Sequence, residues 1–234
     1  MLIKTRAIAL HYVKYGETSI IACLYTEKLG RLSCMVSSVH KKNSSFPASF
    51  FLPLTLLETD LYYKSTRDVQ RIKEMNCLMH FTAIPFRIEK STIALFIAEL
   101  LYKTLKEEEA NPSLFTFLFN AIQLLDMKEE GSRNFHLAFL LHYMKYLGIF
   151  PIQQDTVRLT EGPRDFLLPV DAGKDEKEGL NQLVHYSLGQ LENIRISNRT
   201  RSFLLDRILE FYLYHLDQMA GIRSIQVLKE VFHA

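Results

Sequence analysis

Cysteine is scarce in this chain. Its 234 residues hold three, Cys23, Cys34 and Cys77, and no two of them make a CxxC pair. An odd count flanked by apolar or neutral residues argues against a disulfide framework and fits buried free thiols in a reducing compartment. Glycine motifs that cradle phosphates are also missing: neither GxGxxG nor GxxxxGK[ST] occurs, and Gly173-Lys174 lacks an upstream glycine at the right spacing. No GxSxG elbow and no HExxH helix exists. The eight histidines are scattered, with no two spaced four apart on one helix. His136 and His142 share one apolar helix, where a satisfied core histidine is the simpler reading than a ligand. No run of about 18 uncharged apolar residues is present, which speaks against a membrane span. Lys4 and Arg6 interrupt the N-terminus, so no apolar signal region follows it. Repeats and low-complexity tracts are absent too.

What the chain does have is apolar side chain for a sizeable core, 48% of residues, beside 23% charged, the balance of an ordinary soluble protein of one or two domains. Its net charge of +2 hides an asymmetry. Residues 1–75 carry 11 Lys/Arg against 6 Asp/Glu, residues 76–180 carry 11 against 15, and residues 181–234 carry 6 against 5. A basic first third beside an acidic middle predicts that the N-terminal part meets a polyanion, if one is bound.

The pattern along the chain changes once. Runs at 2–13, 19–26, 31–39, 50–63 and 69–75 read as strands, separated by the turn Tyr15-Gly16-Glu17-Thr18, the hairpin loop Glu27-Lys28-Leu29-Gly30 and the polar loop 40–47. Pro53 predicts a bend, bulge or edge within the fourth run. Five short strands in about 75 residues fit a small closed barrel such as an OB-fold. Beyond residue 80 the period becomes helical. Helices are expected over 93–105, from Asn111-Pro112 to about 125, over 133–147 ending at Gly148, over 176–191, from a Ser197 cap to Gly221, and from Ser224 through Phe232. The helix FHLAFLLHYMKYL is apolar nearly all round and should be central. Residues 150–175 hold Gly162, Pro163, Pro169 and Gly173 without a period and read as an irregular insert. The expected class is therefore α+β: a barrel over 1–78 followed by an all-α helical bundle over 79–234.

Single strands of nucleic acid are held by cations along phosphates and by aromatic faces under bases. In the barrel, Lys14, Arg31, Lys41, Lys42, Arg67, Arg71 and Lys73 supply charge, and Tyr12, Tyr15, Phe46, Tyr62 and Tyr63 are candidate platforms, Tyr15 foremost. Lys41-Lys42 stands out because its loop is polar and lies between strands. Arg133, with Phe135, Leu137 and Leu141, forms a second candidate: a cation and an apolar notch for an acidic peptide ending in an apolar residue. Asp171 and Asp175-x-Lys177 only loosely resemble a nuclease pattern, and Glu107-Glu108-Glu109 reads as a solvated helix end.

Read together, AIALHYVKYGETSIIACLYTEKLGRLS (7–33), PLTLLE (53–58), FHLAFLLHYMKYLGIFP (135–151) and RSIQVLKEVF (223–232) resemble the RecO family of recombination mediators, in the right order and across most of the chain. The resemblance implies an N-terminal OB-fold, a helical C-terminal domain, binding of single- and double-stranded DNA, and annealing of complementary strands. It further implies work with RecR, and often RecF, in replacing single-strand binding protein with RecA, without enzymatic activity, in the cytoplasm at the nucleoid. Some members dock the C-terminal tail of single-strand binding protein on the helical domain, and Arg133 is the position that matches. One departure is plain. Many members carry a four-cysteine zinc site just after Leu-Gly-x-x-Pro, and residues 152–181 contain neither Cys nor His. No zinc, and no other cofactor, is expected; whatever the zinc module does in its bearers is either absent here or met by the apolar packing of Phe166, Leu167 and Leu168. The rival readings are a protein-only adaptor and, further off, a metal-dependent nuclease.

Overall fold

Side-chain alternation along the first third resolves into five strands in a computed structural model, which describes residues 1–37, 39, 45–153, 156–157, 168–169, 172–219 and 221–233. The strands are β1 (Leu2–Tyr15), β2 (Ser19–Thr26), β3 (Gly30–Val36), β4 (Leu56–Tyr62) and β5 (Val69–Cys77). They close into a barrel in the order β1-β2-β3-β5-β4. Only β3 and β5 run parallel. That is the connectivity of an OB-fold. Inward-facing Ala7, Ala9, Ile20, Leu24, Cys34 and Leu61 fill the interior. Burial pushes the Cys34 thiol well above its ordinary range, so it packs as a small hydrophobe.

Two bulges shape the barrel. Ala9 pairs with Leu24 and His11 with Cys23, which leaves Leu10 as the extra residue in β1. Lys73 is the extra residue in β5, between Ile72 and Glu74. The fourth run, expected as one strand over 50–63, forms in two pieces. Ala48–Phe51 make a 3-10 turn and β4 begins only at Leu56. Pro53 has no N–H for a ladder, and Leu54 follows it with φ at 64°. Leu54 donates to the Ala9 carbonyl at 2.8 Å and Ala9 donates to Thr55 at 3.0 Å, so the chain joins the sheet opposite the β1 bulge. A left-handed leucine costs about 1–2 kcal/mol, which full burial of its side chain offsets by about 1.5–3 kcal/mol.

The chain divides into two compact units: Met1–Thr82 with Ala94–Gln123, and Ala83–Ile93 with Leu124–Ala234. The first unit holds the barrel, the later part of α1 (Ile88–Thr104) and the earlier part of α2 (Pro112–Met127). Asn111 caps α2 by accepting the Leu114 N–H at 3.0 Å.

The second unit is built on α3 (Phe135–Tyr146), whose residues 135–141 are all buried. Around it lie α4 (Lys174–His185), α5 (Asn198–His215) and α6 (Ser224–His233), with the two-residue strands β6 (Ile152–Gln153) and β7 (Thr156–Val157) paired in the insert. Tyr212 donates from its fully buried hydroxyl to the Leu140 carbonyl at 2.8 Å. Several boundaries differ from the sequence expectation: α1 begins at Ile88, five residues before the expected start. The Arg133 start gives way to a 3-10 turn over Ser132–Asn134, because the Asn134 side chain is engaged with Arg201 and Ile194. The helix expected over 176–191 stops at His185, where Ser187 and Gln190 cap a new turn reciprocally. The helix expected to reach Gly221 ends at His215, since Leu216 is extended and buried Met219 anchors the turn that follows. The Ser197 cap is present, accepting the Thr200 N–H at 3.1 Å, whereas Ser224 is the first helical residue and not a cap before it. Leu168 is buried; Phe166 and Leu167 lie outside the described residues.

Candidate nucleic-acid interface

Strand register places one row of side chains across the outside of the barrel. Val13 pairs with Ile21, Ile21 with Met35, Met35 with Arg71, and Arg71 with Tyr62. Because faces alternate with a period of two, Tyr15 shares the face of Val13, while Tyr12 and Lys14 occupy the opposite face of the same hairpin. Val13, Tyr15, Arg71 and Tyr62 are exposed, and Ile21 and Met35 are half-buried. The row thus joins a guanidinium to aromatic and aliphatic surface, the combination that single strands need.

The neighbouring rows are closed by the helical segments of the same unit. Tyr25 packs against Phe115 with ring centres 6.2 Å apart and is buried, its hydroxyl pushed up to about 12 by burial. His11 lies over Tyr102 at 4.5 Å, and burial holds its imidazole below the usual range. Arg6 makes a bidentate pair with Glu27, at 2.9 and 2.6 Å, above Phe119. Among the described residues, the outer face of β2 and β3 is covered on this side, and the exposed side chains of the row lie toward the β1–β2 turn and the β4–β5 loop.

Arg31 belongs to the closed part. Its guanidinium donates to the carbonyls of Tyr102 (2.9 Å) and Leu105 (2.6 Å) and sits over the Tyr102 ring. It thereby neutralises the negative end of α1. Beside it, Gly30 at φ 64° lets the chain after α1 approach: a Cβ there would lie within 3 Å of backbone atoms of Glu107 and Glu109. Arg31 is a tether in this fold, not a free cation.

The β4–β5 loop is held from beneath by Gln70, which is 3% exposed. Its amide donates to the carbonyls of Lys64 (3.0 Å) and Arg67 (2.5 Å) and accepts the Lys64 N–H at 2.9 Å. Two exposed cations, Lys64 and Arg67, thus stand on a fixed backbone. A cleft of about 400 Å³ opens beside them, lined by Tyr63, Ser65, Arg67, Asp68, Lys106 and Glu108 among others. Lys64 went unremarked in the sequence although it follows the Tyr62-Tyr63 pair. Lys106 carried no signal, because only the fold brings the end of α1 to this loop.

The other expected positions scatter. Lys14 is exposed on the hairpin, and Lys73 is exposed at the β5 bulge beside Glu74. Phe46 packs against the barrel core. Lys41 and Lys42 lie outside the described residues, as does Asp171. In the second unit Arg133 is exposed, but Phe135, Leu137 and Leu141 are buried. The notch expected beside Arg133 is filled by the unit's own packing. Among the described residues no group of three or more His, Cys, Asp or Glu is placed to hold a metal ion, and no helix is long and apolar enough to cross a membrane.

Known proteins carry the same arrangement of sequence. Residues 1–81 match the family model described as Recombination protein O N terminal, and residues 85–169 match Recombination protein O C terminal. The chain is 32% identical, over 247 aligned positions, to a protein of Phocaeicola vulgatus named DNA repair protein RecO, covering 99% of this chain and 100% of that one. Proteins of the same name from Bacteroides fragilis and Flavobacterium psychrophilum are each 34% identical, with the same coverage.

Proposed function

Given that the chain belongs to the RecO family of DNA repair and recombination proteins, we propose that it is a non-catalytic mediator whose barrel binds DNA on the open part of its outer face. The observation that carries this reading is the exposed row Val13, Arg71 and Tyr62, flanked by Tyr15 and by the braced cations Lys64 and Arg67. Phosphates meet the cations, and bases rest on the tyrosines through ring faces that every base offers. Lys73 extends this electrostatic surface; Lys14, on the opposite face of the hairpin, and the loop residues Lys41 and Lys42 are taken as further phosphate contacts. By neutralising phosphates of two strands at once, the protein anneals complementary single strands and also holds duplex. In the cell, this reading has it acting in the cytoplasm with RecR, and with RecF, to load RecA on DNA coated with single-strand binding protein. Arg133 is the contact for that protein's acidic tail, with the apolar side chain seated elsewhere than on Phe135, Leu137 and Leu141 unless α3 repacks. The division into a DNA-binding part, 1–78, and a partner-binding part, 79–234, goes with this scheme.

The test is annealing of two complementary oligonucleotides coated with single-strand binding protein, followed by fluorescence at two salt concentrations. Acceleration that weakens with salt and with Arg67→Ala/Arg71→Ala supports the reading. No acceleration, alongside retained binding of the tail peptide, would leave an adaptor.

A further inference from the structure

We propose that the cleft beside the β4–β5 loop holds one unpaired nucleotide of the bound strand and selects its base through Asp68 and Glu108. The proposal rests on the DNA-binding reading of the barrel and names a second contact within it.

Size and charge define the ligand. About 400 Å³ is the scale of a small-molecule pocket. Its lining carries Arg67 and Lys106 together with Asp68 and Glu108. None of these four makes a salt bridge among the described residues, although both signs face one space. A bare phosphate would suit the cations and be repelled by the carboxylates. An acidic peptide would fail for the same reason. A metal ion would find two carboxylates opposed by two cations. A nucleotide satisfies both sets: its phosphate takes the cations, and amino groups on its base donate to the carboxylates, which only accept. An unpaired base offers both hydrogens of its amino group, one of which a complementary strand would take, so a single strand suits two carboxylates better than a duplex does.

The site is built before any ligand arrives. Gln70, almost fully buried, fixes the backbone that carries Arg67 and Asp68. On the other wall, the Arg31 N–H donates to the Glu107 carbonyl at 3.0 Å, and the close approach at Gly30 holds the segment bearing Lys106 and Glu108. Pre-formed walls reduce the ordering that binding would otherwise require.

Base selection follows. Cytosine offers an exocyclic amino group, whereas thymine presents carbonyl oxygens on both sides of a single N–H, and these face the carboxylates unfavourably. Fluorescence anisotropy with twelve-residue dC and dT oligonucleotides reads the difference. For the full chain, dC should bind about fivefold more tightly than dT, the scale of one charge-assisted hydrogen bond at a wet site. In Asp68→Asn/Glu108→Gln the ratio should fall toward one while dT binding holds or strengthens, since repulsion is removed. These side chains are at the surface, so folding should be unaffected, and the thermal midpoint checks it. A wild-type ratio of one, or a ratio that the double variant leaves unchanged, overturns the proposal while the barrel remains a DNA-binding surface. Absence of binding to either oligonucleotide overturns the DNA-binding reading itself.

Discussion

The barrel unit and the helical unit tie down their cations in different ways. In the helical unit two of them, Arg201 and Lys90, are drawn fully inside, while Arg133, Lys145, Lys174, Arg195, Arg199 and Arg223 stay exposed. Arg201 is buried with neutral acceptors only: Asn134 at 3.0 Å, Asn198 at 2.7 Å and the Ile196 carbonyl at 3.2 Å. Burial holds its guanidinium below the usual range, and the neighbouring charge of Arg133 adds to that. Lys90 is likewise buried, donating to the Asp126 carbonyl at 2.7 Å, while Asp126 accepts the N–H groups of Ala83 and Ile84. In the barrel unit, Arg6 and Arg31 are tied to the fold, and Arg67, Arg71, Lys14 and Lys64 are left to solvent. The lesson is one of subtraction. A count of basic residues locates a binding surface only after the cations engaged by the fold are removed.

Substitutions can break or sharpen that contrast. The largest effect belongs to the helical unit. Phe139→Ala, at the centre of α3, should cost about 3–5 kcal/mol in urea unfolding and leave the salt dependence of DNA binding untouched in whatever fraction remains folded. Gly30→Ala comes next. A left-handed alanine costs about 1–2 kcal/mol, and displacement of the Glu107–Glu109 backbone adds to it. Its thermal midpoint should fall clearly, and an unchanged midpoint would mean that the close approach is not needed. Arg31→Ala removes two hydrogen bonds to helix-end carbonyls and should cost about 1–3 kcal/mol.

Much of the fold was legible, and the reasons are local. Five strands, the hairpin at Gly30, the Asn111 and Ser197 caps and the buried α3 each follow from periodicity or capping chemistry within a few residues. The split fourth strand was half legible: Pro53 announced a break, but the left-handed Leu54 depends on a β1 bulge over forty residues away in sequence. The site was less legible. Tyr15, Arg67 and Arg71 carried a visible signal, yet nothing near Arg31 in sequence shows that Tyr102 and Leu105 engage it. The buried state of Leu137 and Leu141 was implied by the same apolar pattern that made α3 central, and that pattern outweighed their use as a notch.

A smaller effect concerns pH. Burial holds His11 and His142 below the ordinary imidazole value of 6.5. Above 6.5 both folded and unfolded chains carry them neutral. As pH falls below 6.5 the unfolded chain takes up protons first, so stability falls. The thermal midpoint should drop between pH 7.5 and 5.5, and His11→Gln/His142→Gln should flatten that drop. The smallest expected change is at Glu27, whose carboxyl the Arg6 guanidinium holds below its usual range. Its contribution is present above 4.5 and lost as pH falls through the lowered value, and as a partly exposed pair it is worth under about 1 kcal/mol. Glu27→Gln should lower stability by that small amount at neutral pH and abolish the further loss on acidification.

The subtraction itself is tested most directly by the salt dependence of single-strand binding, measured as log K against log salt for the wild type, Arg67→Ala/Arg71→Ala and Arg31→Ala. Each phosphate contact contributes roughly 0.7 to the slope on a single strand. The double variant should lose about 1.4 from the slope, with stability within about 0.5 kcal/mol of wild type. Arg31→Ala should keep the wild-type slope while losing stability. A slope that falls for Arg31→Ala, or one that stays unchanged in the double variant, would contradict the placement of DNA on the open part of the barrel.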